Sequence, residues 1–234
     1  MPTIAIVGAG PGLGLSIAKV FGAHDFSVAL VSRRQSTLDA LVAELRTRDI
    51  DATGFGADVM DRTSLVQAFK NIVSRYGQVD VMEFSPAPHT PQSGMALVGP
   101  LDVSVANVQP QLDFYVHGAI TATGQVLPEM IERGSGTLLY TTGASSVAPA
   151  QQMGNVGIAG AALRNWVLNL HDALADKGVY AAHVPLSVWI GQGGPETQPD
   201  AIAPLYWDLH ERGEGPEHLY SAEAAAGRSA PDEV

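Results

Sequence analysis

Thr3-Ile-Ala-Ile-Val-Gly8-Ala-Gly10-Pro-Gly12-Leu-Gly14-Leu-Ser-Ile-Ala-Lys-Val-Phe21 is the stretch that decides how the rest of the chain is read. Residues 4–7 are a short run of β-branched and apolar side chains, the pattern of a strand buried on both faces. Gly8, Gly10, Gly12 and Gly14 follow, and Leu13, Ile17, Val20 and Phe21 recur at helical spacing. Strand, glycine turn and helix in that order predict the phosphate-cradling start of a dinucleotide fold. The glycines let the backbone turn tightly and approach a pyrophosphate, and the helix start offers free N–H groups to the anion. The common dinucleotide spacing, G-x-G-x-x-G, would need a glycine where Leu13 stands. Gly8, Gly12 and Gly14 instead give G-x-x-x-G-x-G.

Outward from this stretch, strands and helices alternate. Residues 26–31 read as a second strand, 52–57 as a third, 79–84 as a fourth, 136–143 as a fifth and 179–184 as a sixth. Helices are predicted over 37–48, where Leu38, Leu41, Val42 and Leu45 share a face, and over 62–76 with Asp61 as N-cap. Further helices are predicted from near Pro110 to Arg133, over 159–176 and over 200–212. This alternation indicates α/β: a single-domain Rossmann-type, doubly wound parallel sheet with helices on both faces. Residues 85–101 and 191–199 read as irregular loops. Residues 1–220 form one dinucleotide-binding domain in this reading, and 221–234 a mobile acidic C-terminal tail.

With 234 residues, the chain is long enough for one such domain with a sizeable core. A formal net charge of −11 argues against nucleic acid or an anionic membrane as partner. There is no cysteine, hence no disulfide and no thiolate chemistry. The seven histidines are scattered without H-E-x-x-H or similar spacing, so no metal is expected. With no charged-then-apolar leader and no run of about 18 apolar residues, a cytoplasmic protein is expected.

The spacing of Gly8, Gly12 and Gly14 resembles that of the short-chain dehydrogenase/reductase family. The resemblance runs from Thr3 to about Tyr220, and residues 201–210 are similar to a C-terminal helix of one bacterial subgroup. It implies an oxidoreductase acting on a dinucleotide and a small-molecule carbonyl or alcohol, assembled as a homodimer or homotetramer. It places the dinucleotide on Gly8, Pro11, Gly12, Leu13 and Gly14, on Ser32, Arg33 and Arg34, on Asp58 and Val59, and on Ser85 and Pro86. A carboxylate after the second strand would accept from a ribose 2′-hydroxyl and repel a 2′-phosphate. This chain has Arg33 and Arg34 there and no acid. Guanidinium groups suit phosphate, so NADP(H) is expected over NAD(H). The plainer reading of the pair is a solvated opening to the next helix.

The family's active site is Asn, Ser, Tyr and Lys. Laid on this chain without a gap, those positions are Tyr115, Gly143, Val156 and Gly160. Gly160-Ala-Ala-Leu163 resembles the usual Lys-Ala-Ala-Leu, and no Tyr-x-x-x-Lys occurs anywhere. The lysines, Lys19, Lys70 and Lys177, lie elsewhere. The family's Asn-Asn-Ala-Gly after strand four stands as Phe84-Ser85-Pro86-Ala87, its Pro-Gly after strand six as Leu186-Ser187, and Trp189 follows. The catalytic residues are therefore unassigned. Ser145, Ser146, Tyr115 and His117 are candidate stand-ins; turn residues and helix packing are their plainer readings. The expectation is an NADP(H)-binding oxidoreductase-like protein with a degenerate active site and altered or weak hydride transfer. The alternatives are a non-catalytic NADP(H) sensor or partner subunit, and a scaffold that no longer binds nucleotide. Valine at Gly12 or Gly14 is expected to abolish nucleotide binding without unfolding the domain.

Overall fold

A strand apolar on both faces must be covered on both, and this one is. In the computed structural model, which describes residues 1–87 and 95–223, β1 (Thr3–Val7) is buried along its whole length. It is joined by β2 (Ser27–Ser32), β3 (Ala52–Gly56), β4 (Val81–Phe84), β5 (Gly136–Gly143), β6 (Val179–Ser187) and β7 (Tyr220–Ser221). The sheet has the order β3-β2-β1-β4-β5-β6-β7, and every ladder is parallel. Ile4 and Ile6 enter one core, shared with α1 (Leu13–Ala23), α2 (Gln35–Arg46), α7 (Pro199–Ile202) and α8 (Pro204–Arg212). Ala5 and Val7 enter the other, shared with α3 (Arg62–Tyr76), α5 (Gly118–Arg133) and α6 (Gly154–Leu174). This is the expected doubly wound α/β sheet. Its strand order reverses between β1 and β4, where such sheets bind ligands at their carboxyl ends.

Four local features differ from the sequence expectation. α6 begins at Gly154, ahead of the expected start at residue 159. Gly154 and Gly157 look like helix breakers, but a Cβ on Gly154 would lie 3.0 Å from the backbone of Gly99 and Pro100. The glycine is there because another loop crosses at contact distance. Buried Asn155 clips that loop, with Nδ2 donating to Ala96 O at 2.9 Å and Oδ1 accepting from Val98 N at 3.3 Å. Next, the helix expected from near Pro110 starts earlier, with Pro110 inside it. α4 (Val105–Gln111) runs through a widened turn at Leu112–His117 into α5. The single helix expected over 200–212 is two, α7 and α8, separated at Ala203-Pro204. Finally, Ser221 pairs with Ser187 in β7, so the sheet reaches one residue into the expected tail. Residues 224–234 of that tail and 88–94 of the expected loop lie outside the described residues.

Candidate functional site

The three glycines of the G-x-x-x-G-x-G spacing do three different jobs. Gly8 has φ +98°, and a Cβ on it would lie 2.4 Å from Pro86 Cα, so the loops after β1 and β4 meet backbone to backbone. Only glycine permits that approach with that dihedral. Gly14 packs helix on strand: a Cβ there would lie 3.1 Å from Ala9 Cα. Gly12 caps α1, and a Cβ on it would meet nothing within 4 Å. No side chain caps α1; Leu15 N–H donates back to Gly10 O at 3.1 Å, and the N–H groups ahead of it, those of Leu13 and Gly14, face the turn where an anion would sit.

Beside this turn lies a cleft of about 310 Å³. Gly8, Ala9, Val31, Ser32, Arg33, Arg34, Ala57, Val59, Pro86, Ala87 and Phe114 line it. Members of all four expected dinucleotide segments thus converge on one concavity. Pro11, Gly12, Leu13, Gly14, Asp58 and Ser85 border those segments without lining it. Leu13 is buried as the anchor of α1, and Pro11 is exposed. Asp58 accepts from Met60 N at 3.0 Å, and Asp61 accepts from Thr63 N and Ser64 N as the cap of α3. An uncapped helix start, bare backbone at Gly12, two guanidinium groups and no carboxylate in the lining suit a phosphorylated dinucleotide.

The positions across the switch point carry little reactive chemistry. Gly143 ends β5 and is exposed; a Cβ on it would lie 3.9 Å from Ser145 Oγ. Gly160 is buried in α6, and a Cβ on it would lie 3.1 Å from Ser146 Cβ. Val156 is half-buried in the first turns of α6. Tyr115 stands edge-on to Phe114 in the widened turn, and burial pushes its phenol up to about 12. His117 Nδ1 is 2.7 Å from Asp113 Oδ1, and both line a separate concavity with Met60, Asp61 and Arg62. Gly143, Val156 and Gly160 line neither this concavity nor the cleft.

Polar groups are present in this half, but beneath the surface. His183, buried in β6, has Nδ1 2.9 Å from Glu217 Oε2 and Nε2 2.8 Å from Thr142 Oγ1. A carboxylate only accepts, so Nδ1 carries the proton and Nε2 accepts from Thr142. Burial holds the imidazole below its ordinary range, and Glu217 partly offsets this. Ser146 Oγ lies 2.8 Å from Thr142 Oγ1 and donates to Gly143 O at 2.8 Å. Arg164 of α6 pairs with Glu217 through both guanidinium and carboxylate arms and holds that carboxyl below its ordinary range. A second buried group, Glu83 in β4, accepts from Ser85 Oγ and Thr141 Oγ1, each at 2.8 Å. Sequence reasoning missed both networks. Their signals were one titratable residue in each of two otherwise buried strands, Glu83 and His183. The partners, 34 residues on for His183 and 58 for Glu83, were not legible.

Residues 2–188 match the family model for short chain dehydrogenases. The short-chain dehydrogenase/reductase SDRA of Arabidopsis thaliana is 26% identical over 208 residues, covering 88% of this chain and 72% of that protein. An uncharacterized oxidoreductase of Staphylococcus epidermidis is 24% identical over 175 residues, covering 74% and 72%. Among solved structures, L-sorbose reductase from Gluconobacter frateurii, complexed with NADPH and L-sorbose, is similar with a TM-score of 0.82. The match covers 94% of this chain and 95% of that one at 16% identity. A short-chain dehydrogenase from Rhodopseudomonas palustris gives a TM-score of 0.80 over 94% and 98% at 19% identity. At these identities the structural likeness is one of fold. Among the described residues, no helix is long and apolar enough to cross a membrane, and no metal-ligating cluster is found.

Proposed function

Because the chain belongs to the short-chain dehydrogenase family, we propose that it binds NADP(H) in preference to NAD(H) and has altered or weak carbonyl/alcohol hydride transfer. The observation that carries the cofactor reading is the cleft itself, in which Arg33 and Arg34 lie in one concavity with Gly8 and Val59. Two arginines at the end of β2 suit a 2′-phosphate, and the bare backbone at Gly12 suits a pyrophosphate. A bound nicotinamide would supply the hydride; the chain's own part is to orient it and to move a proton. The proton function is the weak point. By the family resemblance, Val156 and Gly160 stand where a phenol and an ammonium belong, and Gly143 offers no hydroxyl. Ser145 Oγ is the hydroxyl nearest to a side chain built at Gly143, but a serine needs a partner base to give up a proton.

A second reading, a non-catalytic NADP(H) sensor or partner subunit, is favoured by the packing of Gly160 on Ser146, which fills the space where a lysine stem would begin. In either case the resemblance implies a homodimer or homotetramer. Ile120 and Ile131 of α5 and Ile158 of α6 are exposed apolar side chains in keeping with it. The acidic, cysteine-free composition is in keeping with the expected cytoplasmic setting. Calorimetric titration with NADP⁺ and NAD⁺, followed by NADPH consumption against a panel of ketones and aldehydes, tests the proposal. Tighter NADP⁺ binding with slow or absent consumption is expected. Equal affinity for the two cofactors, or no binding of either, overturns it.

A further inference from the structure

The cleft beside the first turn is walled from one part of the molecule. Its lining comes from the carboxyl ends of β1 to β4 and from the widened turn Leu112–His117; no residue of β5, β6 or α6 belongs to it. The lining side chains are of two kinds. Val31, Ala57, Val59 and Phe114 are apolar, and Arg33 and Arg34 are cationic. An apolar wall with an aromatic ring, set beside guanidinium groups and an uncapped helix start, suits a flat base whose ribose carries phosphates. The volume decides how much of a dinucleotide that is. At about 310 Å³ the cleft stands at the bottom of the range of roughly 300–1,000 Å³ for sites that enclose a small ligand. It has room for one nucleotide of the two.

Phe114 reaches this wall from a turn that leaves the α-helical pattern. Gly118 N–H, at its end, reaches back five residues to Asp113 O. Single widened turns of this kind gather at functional sites. Gly118 also seats the turn, since a Cβ on it would lie 3.2 Å from both Val59 O and Phe84 Cζ. Tyr115 stands edge-on to the Phe114 ring, with centroids 4.9 Å apart, and the ring is buried. The ring is thus fixed before any ligand arrives, which spares the cost of ordering it on binding. Across the switch point the carboxyl ends of β5 and β6 offer a second nucleotide little to lie against. Gly143 has no side chain, Leu186 is buried in the core, and Trp189 is 63% exposed.

We propose that recognition is carried by the 2′-phosphorylated ADP half of the dinucleotide, with Phe114 as a specificity-determining wall for its base, and that the nicotinamide adds almost nothing to affinity. The proposal rests on the reading of the cleft as an NADP(H) site. It widens the ligand class from a redox cofactor to any nucleotide that joins a flat base to a 2′-phosphate and a 5′-diphosphate. Oxidised and reduced cofactor bind alike, because they differ only at the ring that the cleft does not hold. A ring held so loosely also transfers hydride slowly, since its reacting carbon is not oriented.

The test is calorimetric titration of the unmutated chain with NADP⁺, NADPH, NAD⁺ and 2′-phospho-ADP-ribose, which is the cofactor without its nicotinamide. NADP⁺, NADPH and 2′-phospho-ADP-ribose should agree within about fivefold in Kd, and NAD⁺ should bind more weakly than all three. A wider spread among the first three overturns the proposal and leaves the cofactor reading intact. Failure of NADP⁺ to bind, or NAD⁺ binding as tightly, overturns the cofactor reading and the proposal with it. Phe114→Leu keeps an apolar side chain and removes the ring. It should weaken those three ligands by one common factor of about fivefold, less than a full stack of base on ring is worth because the ring is buried. Unchanged affinity in that variant, or a loss confined to one ligand, overturns the role of Phe114. The comparison of ligands on the unmutated chain carries the test alone should the variant not fold.

Discussion

On the β1–β2–β3 side of the switch point the cleft is built from backbone and strand ends. Gly8 is shut against Pro86, Gly12 is open, and Arg33 and Arg34 stand at its far end. On the β4–β5–β6 side the corresponding surface is glycine and valine, and the polar groups lie one layer down. Glu83 and Thr141 lie under one face of the sheet; His183 and Thr142 lie under the other. Apart from the two arginines the first half offers groups that every residue has, so its requirements are largely steric. The second would have to react with side chains, and at the positions that the family resemblance assigns to them the chain carries Gly143, Val156 and Gly160. The difference teaches that a site built on backbone asks for space, where a reactive one asks for particular side chains.

Breaking the first half needs only one atom in the right place. Gly8→Val should cost about 3 kcal/mol or more, because a β-branched residue at φ +98° also meets Pro86 Cα at 2.4 Å. Gly12→Val should cost about 1 kcal/mol, as a poor cap, yet abolish NADP⁺ binding. Denaturant melts and titrations of both variants separate fold from ligand. The structure corrects the expectation for Gly14, whose Cβ would press on Ala9 Cα at 3.1 Å, so valine there strains the fold as well as the ligand site. A Gly12→Val variant with unaltered affinity would remove the distinction between the halves.

The buried layer of the second half should show itself in stability. Glu83 has a folded-state pKa raised from its ordinary range to about 8 by desolvation. The folded state then holds a proton that the unfolded state releases, so stability falls as pH rises from about 4.5 toward 8 and stays low above it. The full loss amounts to at most about 5 kcal/mol. Urea melts from pH 5 to pH 9 should show this decline, and Glu83→Gln should flatten it. An equal decline in both would show that Glu83 is not the group responsible.

Much of the first half was legible because glycine spacing and strand-end charges are local. Gly8, Gly12 and Gly14 fall within seven residues, and Arg33 and Arg34 follow directly on β2. The parallel sheet was legible for the same reason, from apolar runs alternating with helical faces. What escaped is long-range. α6 starts early because Gly99 crosses Gly154, and β7 forms because the segment before it is pinned to β6. His183 N–H donates to Pro216 O and His183 O accepts from His218 N, each at 2.9 Å, while Arg164 grips Glu217. No window of sequence contains both ends of such contacts.

A smaller effect is expected at the 2′-phosphate. Arg33→Ala should weaken NADP⁺ by about 1.5–3 kcal/mol, the worth of a hydrogen bond to a charged group, and leave NAD⁺ nearly unchanged. Parallel titrations of the two cofactors read the difference directly. Equal losses for both would mean that Arg33 serves the cleft in general rather than the phosphate.

The smallest effect is expected where the family pattern invites the largest. Val156→Tyr with Gly160→Lys restores a phenol and an ammonium, and acid–base assistance of that kind is ordinarily worth about 10²–10⁴-fold. Here the pair should raise NADPH consumption by less than about tenfold, the rest of that range being lost to misplacement. A Cβ at Gly160 would lie 3.1 Å from Ser146 Cβ. Ser146 cannot simply give way, since its hydroxyl is tied to Gly143 O and Thr142, and Thr142 is tied to buried His183. A lysine therefore enters displaced, and the phenol it should support stays misplaced with it. Gly143 still offers no hydroxyl to orient a carbonyl. Adding Gly143→Ser is sterically mild, since its Cβ would sit an ordinary 3.9 Å from Ser145 Oγ, so recovery should begin only in the triple variant, or with Tyr115→Asn added. NADPH consumption against a panel of ketones and aldehydes, run on the unmutated chain and on the double and triple variants, decides it. A hundredfold gain from the double variant would mean that α6 and Ser146 still hold room for the family's machinery. Family-typical turnover by the unmutated chain would mean that the hydroxyls and imidazole beneath the surface have taken that machinery's place.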